Sequence, residues 1–489
     1  MTKEFLSKKL AFGVAYLFSG TAFTLFLNIV TVSVITRKLG VESFGFYSAV
    51  TAFVGLFQFL CSLGVNRLLL KEGVKSLDRA GVAFGNAVVL KLILAIPFVC
   101  LTLLCGYIFN YRDDKFLILF YFSLVTVFDS FSSIFVNIRR IFGHFQLISF
   151  ARAFRALINL VVTFYALKIN CSVVSIGLSS LIVSIISFSF SLLNSFYLIK
   201  PSFNPSQLVE VVKDSIVYAF NDFFSQSFQR VSVFCLSLFS SLHVVGVFGA
   251  AVKFINFPRI FANQVRIAVL PSIFRIIEEE KNDSIEINRP RRVFNTLFRG
   301  MLIAGVMASV FIFLFAAPII NLVFGQQYES SIPLVRILSL FIFFRFLLTP
   351  FEIYYLGAHE HTRMVLYQGG SNVFLILSCL LLIPLFGVYG VCGSIIFTEL
   401  VYLVWLVIKG YSLNLWESKK IFTSILISSF CGLISVGIIL AFPLNYILQL
   451  VLFLAVFFVL LLLTKQLTTQ DINLVKKIFL HKRTKEKII

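Results

Sequence analysis

Nine positively charged side chains lie inside long apolar stretches of this 489-residue chain, where a charge requires water, an ionic partner or a ligand. They are Lys91, Arg152, Arg155, Arg230, Lys253, Arg259, Arg266, Arg336 and Arg345. The acids in the same stretches are Asp129, Asp222, Glu352 and Glu399, so pairing nine cations with four acids leaves an excess of five positive charges. Because guanidinium groups bind phosphates and carboxylates through directed hydrogen bonds, the pattern indicates a site for an anionic ligand.

The spacing of these charges indicates helices with polar faces. Arg152 and Arg155 are three residues apart, so both project from one side of a helix. The polar residues Asp222, Gln226 and Arg230 recur every four positions and predict a second polar stripe. A third helix carries five polar residues within an arc of about 140°. These five are Lys253, Asn256, Arg259, Asn263 and Arg266.

The elements that carry these residues are long enough to cross a membrane. Hydrophobic residues make up 59% of the chain and charged residues only 13%, against about 25% charged residues in soluble domains. Fourteen apolar windows have the length needed to span a hydrocarbon core of about 30 Å. They cover residues 11–36, 44–65, 80–109, 116–136, 145–167, 173–199, 215–239, 244–270, 297–324, 332–356, 364–386, 388–408, 421–442 and 446–464. The sequence therefore predicts an all-α membrane protein with about 14 transmembrane helices.

The net charge of +20 indicates membrane orientation rather than nucleic-acid binding, because no soluble basic module is present. Of the 42 Lys and Arg, nine lie in the spans, five in the predicted outer links and the remaining 28 in inner segments, with Arg299 at the start of the ninth window counted as inner, which predicts that both termini are cytoplasmic. A polybasic tail from Lys476 to Lys487 is expected to lie against anionic lipid headgroups. The eight cysteines have no paired C-x-x-C spacing, and we predict no metal site.

A short internal repeat indicates a duplicated transporter architecture. Residues 45–50 read GFYSAV and residues 246–251 read GVFGAA, which share the pattern Gly-x-aromatic-small-Ala at equivalent points of two six-helix blocks. We therefore predict an N-terminal lobe over residues 1–200 with helices 1–6, and a C-terminal lobe over residues 201–410 with helices 7–12. Residues 411–489 are predicted to add helices 13 and 14 and the polybasic cytoplasmic tail.

Three segments resemble the polysaccharide flippases of the multidrug, oligosaccharidyl-lipid and polysaccharide exporter superfamily, especially bacterial O-antigen flippases. They are residues 37–45 (RKLGVESFG), 246–254 (GVFGAAVKF) and 387–390 (GVYG). The resemblance extends over essentially the whole chain, including the helix count, and it indicates the family much better than the substrate. It implies two six-helix lobes around a central cation-rich cavity, and alternating access that moves an undecaprenyl-pyrophosphate-linked repeat unit across the bacterial inner membrane.

With this resemblance, we expect a secondary transporter rather than an enzyme, without a cofactor. The expected partners are the lipid-linked glycan, membrane lipids and polysaccharide assembly proteins, and no nucleic acid. The residues predicted to bind substrate are Arg152, Arg155, Arg230, Lys253, Arg259, Arg345, Gln226 and Asn256. The acids Asp129, Asp222 and Glu352 are predicted to couple transport to a proton or sodium gradient.

Other functions stay open at this point. A drug exporter of the same superfamily is the nearest alternative, although a cavity for cationic drugs should be acidic and this one is basic. A lipid II flippase would also have a basic cavity. A membrane glycan polymerase or ligase usually presents its catalytic groups on a substantial external loop, and no predicted outer link exceeds about a dozen residues. A phosphate-binding loop of the G-x-x-x-x-G-K-[ST] type is missing, which disfavours ATP hydrolysis.

Overall fold

Regular structure in the described part of the chain is helical throughout. The computed structural model describes residues 3–66, 69–70, 77–109, 111, 113–207, 219–220, 223–224, 229–282, 289–357, 361–412, 418–441 and 445–464. The helices are α1 (Lys3–Ser62), α2 (Leu77–Ile108), α3 (Asp114–Ile141), α4 (Phe145–Ile169), α5 (Val173–Leu193), α6 (Gln229–Phe239), α7 (Leu242–Asn282), α8 (Arg289–Val323), α9 (Ser331–Gly357), α10 (His361–Ser412), α11 (Ser418–Ala441) and α12 (Tyr446–Leu463).

These helices account for the predicted membrane spans. Within the described residues, nine helices are long and apolar enough to cross a membrane, and three shorter apolar helices lie in α6, α11 and α12. Two of the nine, α1 and α10, each contain two of the predicted windows, so each of the fourteen windows contains a helical segment. The prediction of an all-α, multi-pass membrane protein is confirmed.

Two glycines interrupt the longest helices. Gly40 has φ 77° and ψ 173° inside α1, and Gly387 has φ 56° and ψ −133° inside α10. Side chains with a Cβ atom rarely adopt such positive φ values, which explains glycine at both breaks. The predicted break between the eleventh and twelfth spans is confirmed at Gly387. The predicted break between the first and second spans, within residues 37–43, is likewise confirmed at Gly40, where two helical segments of α1 meet at a kink.

The chain divides into two compact units. The first comprises Met1–Ala250, Asn321–Ser330 and Asn372–Val391, and the second comprises Ala251–Ile320, Ser331–Ser371 and Cys392–Ile489. In the first unit α1 packs against α2, α3 and α4, and α3 packs against α5. In the second unit α8, α9, α10, α11 and α12 share a buried core that includes Phe298, Phe351, Tyr402 and Phe453. The lobe boundaries at residues 200 and 410 stay a prediction.

The first glycines of the two copies of the internal repeat lie in the first unit, where they pack against each other. A Cβ atom on Gly45 would lie 1.8 Å from the carbonyl oxygen of Leu242, and a Cβ atom on Gly246 would lie 2.0 Å from the carbonyl oxygen of Val41. Each of these carbonyls belongs to the residue four positions before the opposite glycine, so the contact is reciprocal. The two helices approach so closely that only glycine fits at either position.

The connector between α8 and α9 is bound to the break in α1. Tyr328 is fully buried, and its hydroxyl donates a hydrogen bond to the carbonyl oxygen of Gly40 at 3.2 Å. Gln327 donates from Nε2 to the carbonyl oxygen of Thr36 at 2.9 Å. Burial raises the pKa of Tyr328, so the hydroxyl keeps its proton and remains a donor. These bonds satisfy carbonyl groups that the interrupted helix leaves without their usual partners.

Candidate anion-binding site

A cavity of about 410 Å³ lies in the first unit among α3, α4, α5 and the residues that follow α1. It is lined by Asn66, Leu70, Asp129, Ser132, Ser133, Val136, Asn137, Arg140, Ile148, Ala151, Arg152, Arg155, Ser187 and Ser191. The lining residues of α3 follow one another at intervals of three and one, which places them on one face of that helix. Helical periodicity therefore explains why these residues of α3 form one wall of the cavity.

The charged groups of this cavity are predominantly positive. The described lining residues include three cations, Arg140, Arg152 and Arg155, and one acid, Asp129. Arg155 Nη2 lies 2.7 Å from Asp129 Oδ2, and the hydroxyl of Ser184 donates to Asp129 Oδ1 at 3.0 Å. The side chains of Arg155 and Asp129 remain 36% and 29% exposed, respectively. No ion pair with a described carboxylate is formed by Arg140 or Arg152, so the cavity keeps an excess of positive charge.

A smaller cavity of about 140 Å³ adjoins the first. The residues shared by the two cavities are Asn66, Asp129 and Ser133. Arg230 from α6 lines the smaller cavity, where its guanidinium group donates to the carbonyl oxygen of Gly55 and, at 2.6 Å, to Oε1 of Gln58. These two bonds hold the fourth arginine of the site in a fixed position.

Lys91 lies behind the wall that the two cavities share. Its side chain is fully buried, and its ammonium group donates to Asn66 Oδ1 at 3.0 Å, to Ser133 Oγ at 3.0 Å and to the carbonyl oxygen of Ser130 at 2.5 Å. An ammonium group has three N–H bonds, and here each of them meets a neutral oxygen. The buried charge of Lys91 is therefore stabilised by hydrogen bonds that it donates to polar, uncharged groups.

The second unit contains a separate network of ion pairs. Glu352 is 2% exposed, and its two carboxylate oxygens lie 3.1 Å from Arg266 Nη1 and 2.9 Å from Arg345 Nη2. Glu399 is also buried and lies 3.9 Å from Arg345. Arg259 lies within electrostatic range of these four groups, so three arginines share two carboxylates, and the network is closer to neutral than the cavities of the first unit.

The predicted site residues fall into three groups. Arg152, Arg155, Arg230 and Asp129 line the adjoining cavities of the first unit. Five others belong to the second unit and line neither cavity, namely Lys253, Asn256, Arg259, Arg345 and Glu352. Asp222, Gln226 and the polybasic tail lie outside the described residues. In the part of the chain that the structure describes, no group of three or more His, Cys, Asp and Glu side chains is positioned to hold a metal ion.

Arg140, Asn66 and Gln58 line the cavities but are missing from the sequence prediction. Arg140 follows the predicted fourth span, which ends at residue 136, whereas α3 continues to Ile141. It comes seven residues after Ser133 and eleven after Asp129, which is a helical signal that would indicate it. Asn66 and Gln58 are isolated amides, and no periodic pattern in the sequence distinguishes them.

The family described as polysaccharide biosynthesis protein matches residues 10–277, which is more than half of the chain. The chain belongs to this family. Every described residue that lines the two cavities falls within the segment that the polysaccharide biosynthesis family matches. No curated protein sequence gives a significant match.

Solved membrane transporters share the fold of this polysaccharide biosynthesis family member. The lipid II flippase MurJ in an inward closed conformation is similar with a TM-score of 0.74 and 14% identity, over 91% of this chain and 97% of that chain. A multidrug resistance MATE family transporter of the MOP superfamily in an inward-facing conformation has a TM-score of 0.65 and 14% identity, over 80% of this chain and 95% of that chain. A MOP superfamily transporter from Pyrococcus furiosus has a TM-score of 0.59 and 14% identity, over 83% of this chain and 95% of that chain. The predicted fold family is confirmed.

Proposed function

We propose that this chain is a flippase that moves a glycan linked to undecaprenyl pyrophosphate, of the O-antigen repeat-unit type, across the bacterial inner membrane by alternating access. The observation that carries the proposal is the pair of adjoining cavities lined by four arginines and one acid. Because Asp129 already pairs with Arg155, the guanidinium groups of Arg140, Arg152 and Arg230 are available to bind a diphosphate or an acidic sugar.

The charge of the site favours an anion over the alternative ligands. A drug exporter that takes cationic compounds would need acids that are not already paired in its cavity, and Asp129 is bound by both Arg155 and Ser184. A cation entering the larger cavity would also meet the arginines in a partly dehydrated environment, where like charges repel strongly. Membership of the polysaccharide biosynthesis family supports a glycan as the cargo.

A lipid II flippase is the second candidate. Its proposed cargo also carries a lipid-linked diphosphate, so the same arginines would bind it, and the fold is similar to that of the lipid II flippase MurJ. The sugar composition of the cargo distinguishes the two candidates. Genetic replacement distinguishes them as well, because a lipid II flippase would restore growth to cells depleted of their own lipid II flippase.

Deletion of the chain in its own cells tests the proposal. We expect lipid-linked repeat units to accumulate on the cytoplasmic face and surface polysaccharide to be lost. The double variant Arg152→Ala/Arg155→Ala should reproduce this loss at normal protein abundance. Arg336→Ala is the matched control, because Arg336 is an exposed arginine within a predicted span that lines neither cavity. Export at the wild-type level in the double variant would rule out the assigned site.

Coupling to an ion gradient is a further part of the proposal. Asp129 lines both cavities, whereas Glu352 belongs to the ion-pair network of the second unit, so the two acids stand in different surroundings. Collapsing the proton gradient and the sodium gradient separately in membrane vesicles, while following repeat-unit translocation, identifies the coupling ion. Translocation that is indifferent to both gradients would remove Asp129, Asp222 and Glu352 from this role.

A further inference from the structure

We propose that Asn66, held in position by Lys91, selects a phosphoryl or carboxylate oxygen of the ligand at the junction of the two cavities. The inference rests on the proposed function and deepens it, because it names the ligand atoms that one uncharged side chain recognises. Asn66 is one of the residues shared by both cavities, so a ligand in either cavity reaches it.

The contact with Lys91 fixes which way the amide of Asn66 points. An ammonium group has no lone pair and can only donate, so the Asn66 atom 3.0 Å from Lys91 Nζ is the oxygen Oδ1. Asn66 Nδ2 then donates to Ser133 Oγ at 2.9 Å, and the hydroxyl of Ser133 donates to the carbonyl oxygen of Ser130. Apart from the second N–H of Asn66, each donor in this series of hydrogen bonds meets an acceptor, and no other orientation of the amide satisfies Lys91 equally well.

This orientation leaves a donor for the ligand. The amide nitrogen of Asn66 carries two N–H bonds, and one of them has no acceptor among the described residues. Its partner at the junction must therefore be an acceptor, as phosphoryl and carboxylate oxygens are. The arginines on either side, Arg155 in the larger cavity and Arg230 in the smaller, favour the same class of group.

Lys91 acts through Asn66 rather than on the ligand, because its side chain is completely buried and it lines neither cavity. Without the ammonium group, the amide of Asn66 loses the contact that distinguishes its oxygen from its nitrogen. It would then turn by about 180° and present an acceptor to the junction in part of the molecules. Lys91 is accordingly a positioning residue.

The first test compares Asn66→Asp with Asn170→Asp in the purified full-length chain. Asn170 is exposed and lines neither cavity, so both substitutions make the same change in net charge, but only the first replaces the donor at the junction. The carboxylate introduced by Asn66→Asp would still accept from Lys91, which keeps the buried network bonded. Asn66→Leu removes the same donor without adding a charge, so a loss in both Asn66 variants is assigned to the donor. With farnesyl diphosphate as the probe and calorimetry as the measurement, we expect at least about 10-fold weaker binding for Asn66→Asp and less than about 2-fold weaker binding for Asn170→Asp. Equal affinities of the Asn66 variants and Asn170→Asp would overturn the proposal.

The second test is a double-mutant cycle on binding of the same probe. Lys91→Met and Asn66→Leu should each weaken binding about 5- to 10-fold, and the double variant should bind no more weakly than the weaker single variant. Losses that multiply would show that Lys91 does not act through Asn66. If Lys91→Met does not yield folded protein, the comparison of the Asn66 variants with Asn170→Asp decides alone.

Failure of the inference and failure of the proposed function give different results. If the wild-type chain does not bind farnesyl diphosphate better than farnesol, its uncharged counterpart, the proposed anion site itself is contradicted. If the wild-type chain binds farnesyl diphosphate, Arg152→Ala/Arg155→Ala does not, and Asn66→Asp binds like the wild type, only the role of Asn66 is overturned.

Discussion

Gly45 and Gly246 face each other across a helix contact, and each lies against the carbonyl oxygen four residues before the other. The two residues are the first positions of the GFYSAV and GVFGAA segments. A short sequence match of this kind arises easily by chance, whereas a reciprocal contact requires that both segments have the same local geometry. The structure therefore gives the internal repeat a physical meaning, since glycine is needed in both copies so that the two helices can approach.

We expect Gly246→Ala to destabilise the protein by about 1–3 kcal/mol, because a methyl group there overpacks a backbone contact that cannot yield. Thermal unfolding in detergent measures the effect. Gly437→Ala is the matched control, since a Cβ atom at Gly437 meets nothing within 4 Å and alanine favours helix. A melting temperature that is unchanged in Gly246→Ala would contradict the close contact.

Asp129→Asn should strengthen binding of an anion, because it releases Arg155 from its carboxylate and raises the charge of both cavities by one. We expect roughly 3- to 10-fold tighter binding of farnesyl diphosphate, with a stability cost of about 1 kcal/mol or less because the pair is about one-third exposed. Asp113→Asn, at an exposed position that lines neither cavity, is the control. Weaker binding by Asp129→Asn would mean that the carboxylate itself contributes to the ligand site.

Glu352→Gln should be among the more destabilising single substitutions in the second unit. The carboxylate is 2% exposed and pairs with both Arg266 and Arg345, so its neutralisation leaves two arginines without their nearest carboxylate. Breaking a buried ion pair from one side costs about 3–5 kcal/mol. Thermal unfolding of Glu352→Gln beside the exposed Glu42→Gln measures this loss. Equal melting temperatures for the two variants would show that the network contributes little.

From the burial of Tyr328 we expect the free energy of unfolding to fall in alkaline solution. Its pKa is raised by burial in the folded chain, so the unfolded chain releases the phenolic proton more readily. The contribution is fully present below the unfolded pKa of about 10 and is lost as the pH rises above it. Tyr328→Phe should lose about 1 kcal/mol at neutral pH and show a weaker alkaline decline, as measured by thermal unfolding from about pH 7 to 11. The control is Tyr389→Phe, at an exposed position. If Tyr328→Phe shows the same alkaline decline as the wild type, other groups cause that decline.

The fold was predictable from the sequence because helix length and apolar content report directly on membrane spans. The break at Gly387 was predictable for a similar reason, since a glycine separates two windows of sufficient length. The position of the first break was predicted less closely, because the apolar run ends before Arg37 and Lys38, whereas the first helical segment includes both and ends at the kink at Gly40.

The candidate site was predictable only where charge was the signal. Arg152, Arg155, Arg230 and Asp129 stood out as charges inside apolar stretches, and they line adjoining cavities. Asn66 was not predictable, because its importance comes from Lys91, which lies 25 residues away in the sequence and 3.0 Å away in the fold. A single sequence does not encode such a pairing in any local pattern.

Two of the three residues that both cavities share belong to α3, and their spacing from Arg140 restricts the length of that helix. Asp129 and Arg140 lie on the same side of α3 because eleven residues complete about three turns. A single residue inserted between them would turn Arg140 by about 100° and point it at neighbouring helices instead of the open space. The number of residues in this segment is thus constrained as tightly as their identity, and insertions or deletions here should be tolerated far less than in the connectors.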